Sequence, residues 1–513
     1  MYPGAHAAQH PDKPALILAD TGAVLTYAEL EERSLRLANH FRSLGVLPGQ
    51  HLAIIAENRF EIVEAMWAAL RTGTLITAVN SHLTAEEASY IVHDCQAEIV
   101  LLSGELDDAA ELAERCADVP HRIWIGAPLP GFDPYEEVLA AASAERPDYE
   151  PCGDDMLYSS GTTGRPKGIL PELKDQSVED PNIPIVQLFT GVYGFGPDTV
   201  YLSPAPLYHA APLRFVRTTH ARGGTAVIMP RFDAEAALAA IEKHRVTHSQ
   251  WVPTMFIRML KLDREVRESY DVSSLRAAIH AAAPCPVEVK RQMIEWFGPV
   301  VYEYYSSTEG PGVTLISSEE ALAKPGSVGR DGYLGTIRIC GPDGEELPAG
   351  EVGTIYFEVD PDKPMFRYFG DEAKTAASRH PVHERWATTG DLGWIDEDRY
   401  LYLSERRGFL IITGGVNIYP QEIENALALH PDVRDVAVVG EPDEELGEVA
   451  VAYIEPEEHV SPERDLGSEV REWLTGRLSK FKVPRRIRVI DALPRTPTGK
   501  LVKRKLDPSL ARG

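Results

Sequence analysis

The chain has 513 residues, 44% apolar and 25% charged, an ordinary balance for a soluble globular protein with room for more than one domain. Its 51 basic and 78 acidic residues leave a net charge of -27, which argues against general affinity for nucleic acid or anionic membrane; an anionic ligand must be met by local positive charge. Cys95, Cys116, Cys152, Cys285 and Cys340 are odd in number and widely spaced, without a CxxC pair or a His cluster, so neither a disulfide framework nor a zinc site is expected. MYPGAHAAQHPDKPAL lacks the basic and apolar regions of a signal peptide, and no run of about 20 apolar residues follows. A cytoplasmic enzyme without a transmembrane segment is the expectation.

In chain order, LTYAELEERSLRLANHF (Leu25 to Phe41) predicts a helix that buries Leu30, Leu35, Leu37 and Phe41. From Leu52 to Leu102, apolar runs alternate with helix-like segments: LAIIA, RFEIVEAMWAALR, LITAV, a helix opening near Thr84, and EIVLL. Thr84 and Glu87 have capping-box spacing. Alternation of this kind predicts a largely parallel sheet with helices on its faces.

Tyr158 to Gly168 reads YSSGTTGRPKG and holds parts suited to an anion. Gly161, Gly164 and Gly168 let backbone N–H groups approach, Ser159, Ser160, Thr162 and Thr163 add hydroxyl donors, and Lys167 supplies a point charge. It is not the P-loop pattern GxxxxGK[ST], which would need Gly at Pro166 and Ser or Thr at Gly168. The stretch resembles the phosphate-binding signature of the adenylate-forming superfamily, which contains acyl-CoA synthetases, adenylation domains of peptide synthetases and luciferases. The polar, proline-rich segment Pro171 to Pro184 departs from the family pattern and is expected to form a mobile loop near the nucleotide.

Further landmarks follow in family order. YLSPAPLYHAAPL (Tyr201 to Leu213) resembles the border of the acyl pocket, in which Tyr208, His209, Trp251, Ala281 and Ala282 are the expected lining. Asp233, in RFD, raises the question of an amino-acid substrate and leaves it open. HAAAPCP (His280 to Pro286) stands where relatives carry a Gly-Gly-Ala-Pro turn; Ala281 and Ala282 replace glycines, and Ala283 and Pro284 are expected beside the nucleotide. YEYYSSTEG (Tyr302 to Gly310) resembles Tyr-Gly-x-Thr-Glu. The resemblance implies adenine stacking by Tyr305, ATP or AMP contacts from Tyr304 and from Ser306, the last in place of glycine, a phosphate contact from Thr308, and Mg²⁺ on Glu309. Asp391, in Thr389-Gly390-Asp391, matches the aspartate that accepts both ribose hydroxyls, and Arg406 the arginine of the ribose and phosphate region. Gly408 stands at the hinge, where Asp or Lys is usual, and Gly414 and Gly415 match the turn beside the pantetheine arm of coenzyme A.

Residues 471 to 513 carry 13 Lys or Arg against 3 Asp or Glu, and Lys500 in PRTPTGKLVKRKL matches the family's catalytic lysine. The implied fold is α/β: a large amino-terminal domain (1–404) of mixed, largely parallel sheets flanked by helices, and a small mobile α+β domain (405–513). The implied chemistry uses ATP, Mg²⁺ and coenzyme A. A carboxylate attacks the α-phosphorus with Lys500, Thr163 and Glu309 as the catalytic groups, and a thiolate then takes the acyl group from the adenylate. An acyl-CoA synthetase is favoured because the chain ends soon after the lysine loop. A carrier-protein-loading enzyme is second, and a non-catalytic nucleotide-binding relative third. The expected acid is a fatty acid or a bulky ring-bearing carboxylate; a homodimer is left open as the assembly.

Overall fold

The computed structural model describes residues 2–159, 166–404, 411–413, 416–443, 446–495 and 501–506. The expected α/β alternation is there. His51–Ile55, Leu75–Val79, Ala97–Ser103, His121–Ile125 and two short strands, Asp133–Pro134 and Asp154–Asp155, form a six-stranded parallel sheet. The crossing helices start where the sequence says. Thr84 accepts the Glu87 N–H while Glu87 returns to the Thr84 N–H, and Thr26 with Glu29 does the same for Tyr27–Ser43. Leu30, Leu35, Leu37 and Phe41 of that second helix are all buried.

A nine-stranded sheet carries the later half of the large region. Its middle strands, Pro14–Leu18, Thr225–Ile228, Val200–Ser203, His248–Trp251, Ala277–His280 and Val301–Tyr305, run parallel. Val313–Ile316 and Arg330–Leu334 continue it antiparallel. The inner faces of the two sheets share one core around the helices Phe60–Thr72 and Ala210–Ala221. Leu202, Val227, Trp251 and Ala278, on the outer face of the nine-stranded sheet, pack instead with Leu238, Phe256 and Met293 from three helices. A third, antiparallel sheet holds Thr336–Cys340, Gly353–Glu358, Leu392–Ile395 and Leu401–Ser404.

The carboxy-terminal part is a smaller α+β unit. Val433–Asp443 and Gly447–Pro456 pair along their length, Arg486–Val489 joins parallel, and the helices Pro420–Leu427 and Leu466–Thr475 cover one face. Lys261 of the large region bonds the Val433 carbonyl and lies 2.9 Å from Glu457. Segment 171–184, expected to be mobile, is tied down at its middle: Val178 is fully buried and donates to the Glu150 carbonyl, and the Cys152 N–H donates to Gln176. No helix among the described residues is long and apolar enough to cross a membrane.

His220 sits where the two sheets share their core. Its Nδ1 accepts the Trp67 indole N–H at 3.2 Å and its Nε2 lies 3.0 Å from the Ala15 carbonyl, so the neutral ring satisfies both partners. Burial lowers its pKa to about 4. The unfolded chain therefore takes up a proton near pH 6.5 that the folded chain refuses until about pH 4. Stability is full above pH 6.5 and falls through that window, by about 3 kcal/mol at most from this group. Thermal unfolding followed across pH 7 to 4 should show the decline, with a shallower slope in His220→Gln.

Candidate active site

The parallel strands of the nine-stranded sheet all end at one edge, where open α/β sheets bind ligands. Tyr208 and His209 follow Val200–Ser203, Ala281 to Pro284 follow Ala277–His280, and Ser306 to Glu309 follow Val301–Tyr305. The predicted stretches therefore meet at one rim.

Tyr305 turns toward the third sheet, its ring stacked on Phe357 at 6.3 Å and its hydroxyl donating to Asp391 Oδ2 at 2.9 Å. The Thr389 hydroxyl reaches the same oxygen at 3.3 Å. The Asp391 carbonyl accepts the Ile355 N–H, and Gly390 at φ +85° makes the turn that presents the carboxylate. Two residues 86 positions apart, both expected at the nucleotide, are thus in contact. Ser306, unusual for glycine, donates its hydroxyl to the Gly312 carbonyl at 2.8 Å and so turns away from the open rim. Gly312 cannot be replaced without cost, because a Cβ there would overlap the Phe357 ring.

Glu309 and Lys167 are joined through residues that no sequence landmark marked. Arg367–Tyr368 pairs with Lys167–Leu170, and the Phe369 N–H donates to the Gly168 carbonyl. From this short strand the Tyr368 hydroxyl donates to Glu309 Oε1 at 2.9 Å. Three residues on, Asp371 lies 3.0 Å from the Lys167 ammonium while accepting the Lys374 N–H at the start of Glu372–Ala377. The Asp371 bond raises the Lys167 pKa, so the cation is kept. In the sequence, RYFGDEAKT offered only an Asp before a helix-forming run. Thr308 and Glu309 are half exposed. A lone carboxylate with one oxygen held by a phenol, and no His, Cys, Asp or Glu group of three among the described residues, suits a hard cation that brings its own phosphate oxygens.

The expected acyl residues divide. Tyr208 and His209 lie together, 4.5 Å between rings, with His209 exposed at the N-cap of Ala210–Ala221 and its pKa lowered to about 4 by desolvation. Ala281 is buried, and Ala282 holds φ +77°, the left-handed backbone of the glycine it replaces. Ala282, Ala283 and Pro284 are exposed at the rim. Trp251 is placed elsewhere. Its ring is fully buried beside Phe232 and Phe256 on the outer face of the sheet, with Nε1 donating to the Ser249 hydroxyl at 2.7 Å. The expected grouping of Trp251 with Tyr208 is thereby corrected: Tyr208 packs against the inner core and Trp251 lies in the outer one. Strand alternation separates Tyr304, expected at the nucleotide, from Tyr305; its ring faces the inner core. Asp233 caps Ala234–His244 by accepting the Ala236 N–H at 2.8 Å, a structural use of that carboxylate.

Ser160, Gly161, Thr162, Thr163, Gly164, Arg406, Gly408, Gly414, Gly415 and Lys500 lie outside the described residues, and Ser159 is described through its backbone pairing with Lys167. Beyond that gap, Arg495 pairs with Leu501 as an isolated bridge, and Lys503 lies 2.7 Å from Glu424, which also accepts the Val438 N–H.

The family is now defined. The AMP-binding enzyme model matches residues 4–360 and its C-terminal domain model residues 422–500. The chain belongs to the AMP-binding enzymes, within the adenylate-forming superfamily. It is 33% identical to a feruloyl-CoA synthase of an Amycolatopsis species over 94% of this chain and 93% of that one. It is 31% identical to a long-chain-fatty-acid–CoA ligase of Mycobacterium tuberculosis, over 96% and 94%. Among solved structures, the o-succinylbenzoate CoA synthetase of Bacillus subtilis, in complex with its acyl-adenylate intermediate, superposes with a TM-score of 0.80 at 28% identity, covering 99% of this chain and 98% of that one.

Two substitutions test these placements. Tyr305→Phe removes one hydrogen bond to Asp391 and should raise the KM for ATP by about 2- to 10-fold, the worth of one such bond. Trp251→Phe should lower the melting temperature while leaving the ranking of carboxylic acids unchanged; a changed ranking would return Trp251 to the acyl pocket.

Proposed function

We propose that this protein is an ATP-dependent, AMP-forming carboxylic acid–CoA ligase. The observation that carries the reading is the gathering of four residues from three sequence motifs, Lys167 and Glu309 through the contacts of Asp371 and Tyr368, and Tyr305 with Asp391 by a direct hydrogen bond. The CoA ligases among its relatives, matched over nearly their whole length, support the same class.

In this reading the hydroxyl and glycine stretch that includes Ser159, Ser160, Gly161, Thr162, Thr163 and Gly164, with Lys167, holds the triphosphate. Asp391 and Arg406 hold the ribose. Adenine rests between Tyr305 and the Ala283-Pro284 turn. Substitution at phosphorus needs neutralised charge and alignment more than a protein nucleophile. Lys500 bridges the incoming carboxylate and the α-phosphate, while Thr308 and Glu309 stand at the phosphates, Glu309 as the ligand for Mg²⁺. Bound there, the metal would offset phosphate charge. The carboxy-terminal domain, from residue 405, then turns about Gly408 and brings Gly414 and Gly415 to the coenzyme A arm for thiolate attack. The matches of separate models to residues 4–360 and 422–500 support a division between these limits. A cytoplasmic location fits this role.

Loading of a carrier protein is the second reading, favoured by one relative, a fatty acid–[acyl-carrier-protein] ligase of Streptomyces coeruleorubidus, 30% identical. Offering coenzyme A or a carrier protein as acceptor separates the two. Lys500→Ala provides the sharper test. It should cut substrate-dependent pyrophosphate release by about 100-fold or more, while thioester formation from supplied acyl-adenylate stays within about threefold. Equal loss in both half-reactions would contradict the lysine assignment.

A further inference from the structure

Tyr302 and Tyr304 project from Val301–Tyr305 toward the helices Pro184–Tyr193 and Ala210–Ala221, and both remain half exposed. Tyr193 meets Tyr302 edge to face, 5.6 Å between centroids. Arg214, one turn into Ala210–Ala221, binds Asp155 through Nε at 3.1 and 3.2 Å and through Nη2 at 2.7 Å. Its Nη1 has no hydrogen bond to the described residues, and the side chain keeps 27% of its surface open. Burial raises the Tyr304 phenol to about 12 against the pull of the Arg214 charge, so near neutral pH it is an uncharged donor. At the rim, His209 is open to solvent at the start of Ala210–Ala221. Tyr208 stands beside it.

Tyr302, Tyr304 and Arg214 lie between the sheet and Ala210–Ala221 yet keep accessible surface, so the packing there is open, with Tyr208 and His209 at the helix end nearest the rim. We propose that this space is the acyl chamber of the ligase, and that it takes a compact ring-bearing carboxylic acid with an oxygen substituent at the far end, read by Tyr304 and Arg214. The inference rests on the CoA-ligase reading above. Phenol edges and faces at the walls favour an aromatic ring. A long alkyl chain would instead cover the Arg214–Asp155 pair and the Tyr304 hydroxyl with nothing that accepts a hydrogen bond, which disfavours it. An oxygen at the far end accepts from Tyr304 or from Nη1 and removes that penalty.

The test measures pyrophosphate release by the full-length enzyme with 4-hydroxycinnamate, cinnamate, decanoate and hexadecanoate. The kcat/KM for 4-hydroxycinnamate should exceed that for each of the other three by about tenfold or more. Tyr304→Phe keeps the ring and removes only the hydroxyl, and Arg214→Met removes the cation. Loss of the hydroxyl preference in either variant, with the KM for ATP unchanged, supports the assignment. Should Arg214→Met not fold, Tyr304→Phe decides alone. A panel led by an alkyl acid, or a hydroxyl preference that survives the substitutions, overturns this inference and leaves the ligase reading standing. Release with none of the four acids, nor with any carboxylate in a wider panel, defeats both.

Discussion

The site depends on the hydroxyl of Tyr305 reaching the carboxylate of Asp391. That bond joins the last parallel strand of the nine-stranded sheet to the antiparallel sheet beside it, and both residues are half buried. Each end is fixed by its own backbone. Tyr305 pairs in register with Thr314, and the Asp391 carbonyl is held by Ile355. Glu303, two residues before Tyr305 and on the same side of the strand, forms a buried ion pair with Lys290 that ties the strand to the helix Val287–Phe297. Preorganisation of this sort would serve the proposed ribose contact of Asp391, whose carboxylate need not first find its position.

Charge at the site is local and balanced. On a chain of net charge -27, Lys167 is kept protonated by Asp371 and Arg214 is matched by Asp155. Each cation is therefore held by an acid until an anionic ligand competes for it. A triphosphate or carboxylate gains less from such a cation than from a bare one, but finds it already oriented. Tyr368 and Asp371, spaced three residues apart on one short strand and turn, hold the metal-binding candidate and the phosphate-binding candidate in fixed relation.

Much of the scaffold was legible because its signals are local. The capping box of Thr84 and Glu87, the alternation from Leu52 to Leu102 and the buried face of Tyr27–Ser43 each involve residues a few positions apart. Tyr305, Asp391, Glu309 and Lys167 were legible by resemblance, though what holds them was not. The partners of Tyr368 and Asp371 lie 59 and 204 positions away, beyond any periodicity. Trp251 was misplaced because an apolar aromatic beside a motif reads alike for core and for pocket. Tyr304 was within reach: in VYEYY, period two alone sends it away from Tyr305. For 171–184, polar composition hid Val178 and Ile183, two buried side chains that anchor a largely polar loop.

The contact between the large region and the carboxy-terminal unit bears on the two-step chemistry. Lys261 crosses it, to Glu457 and to the Val433 carbonyl, and Ala428 and Leu429 pack against the outer core of the large region. A partly exposed ion pair contributes about 1 kcal/mol or less, and a pair of small aliphatic contacts a similar amount. The carboxy-terminal unit meanwhile has its own buried core, built from Ile423, Val438, Ala452 and Val470 among others. A unit that is internally well packed and lightly held at its border changes orientation at small cost while its fold stays intact. The proposed reaction, with a lysine presented in one half and a pantetheine-binding turn in the next, would draw on that imbalance between internal and border contacts.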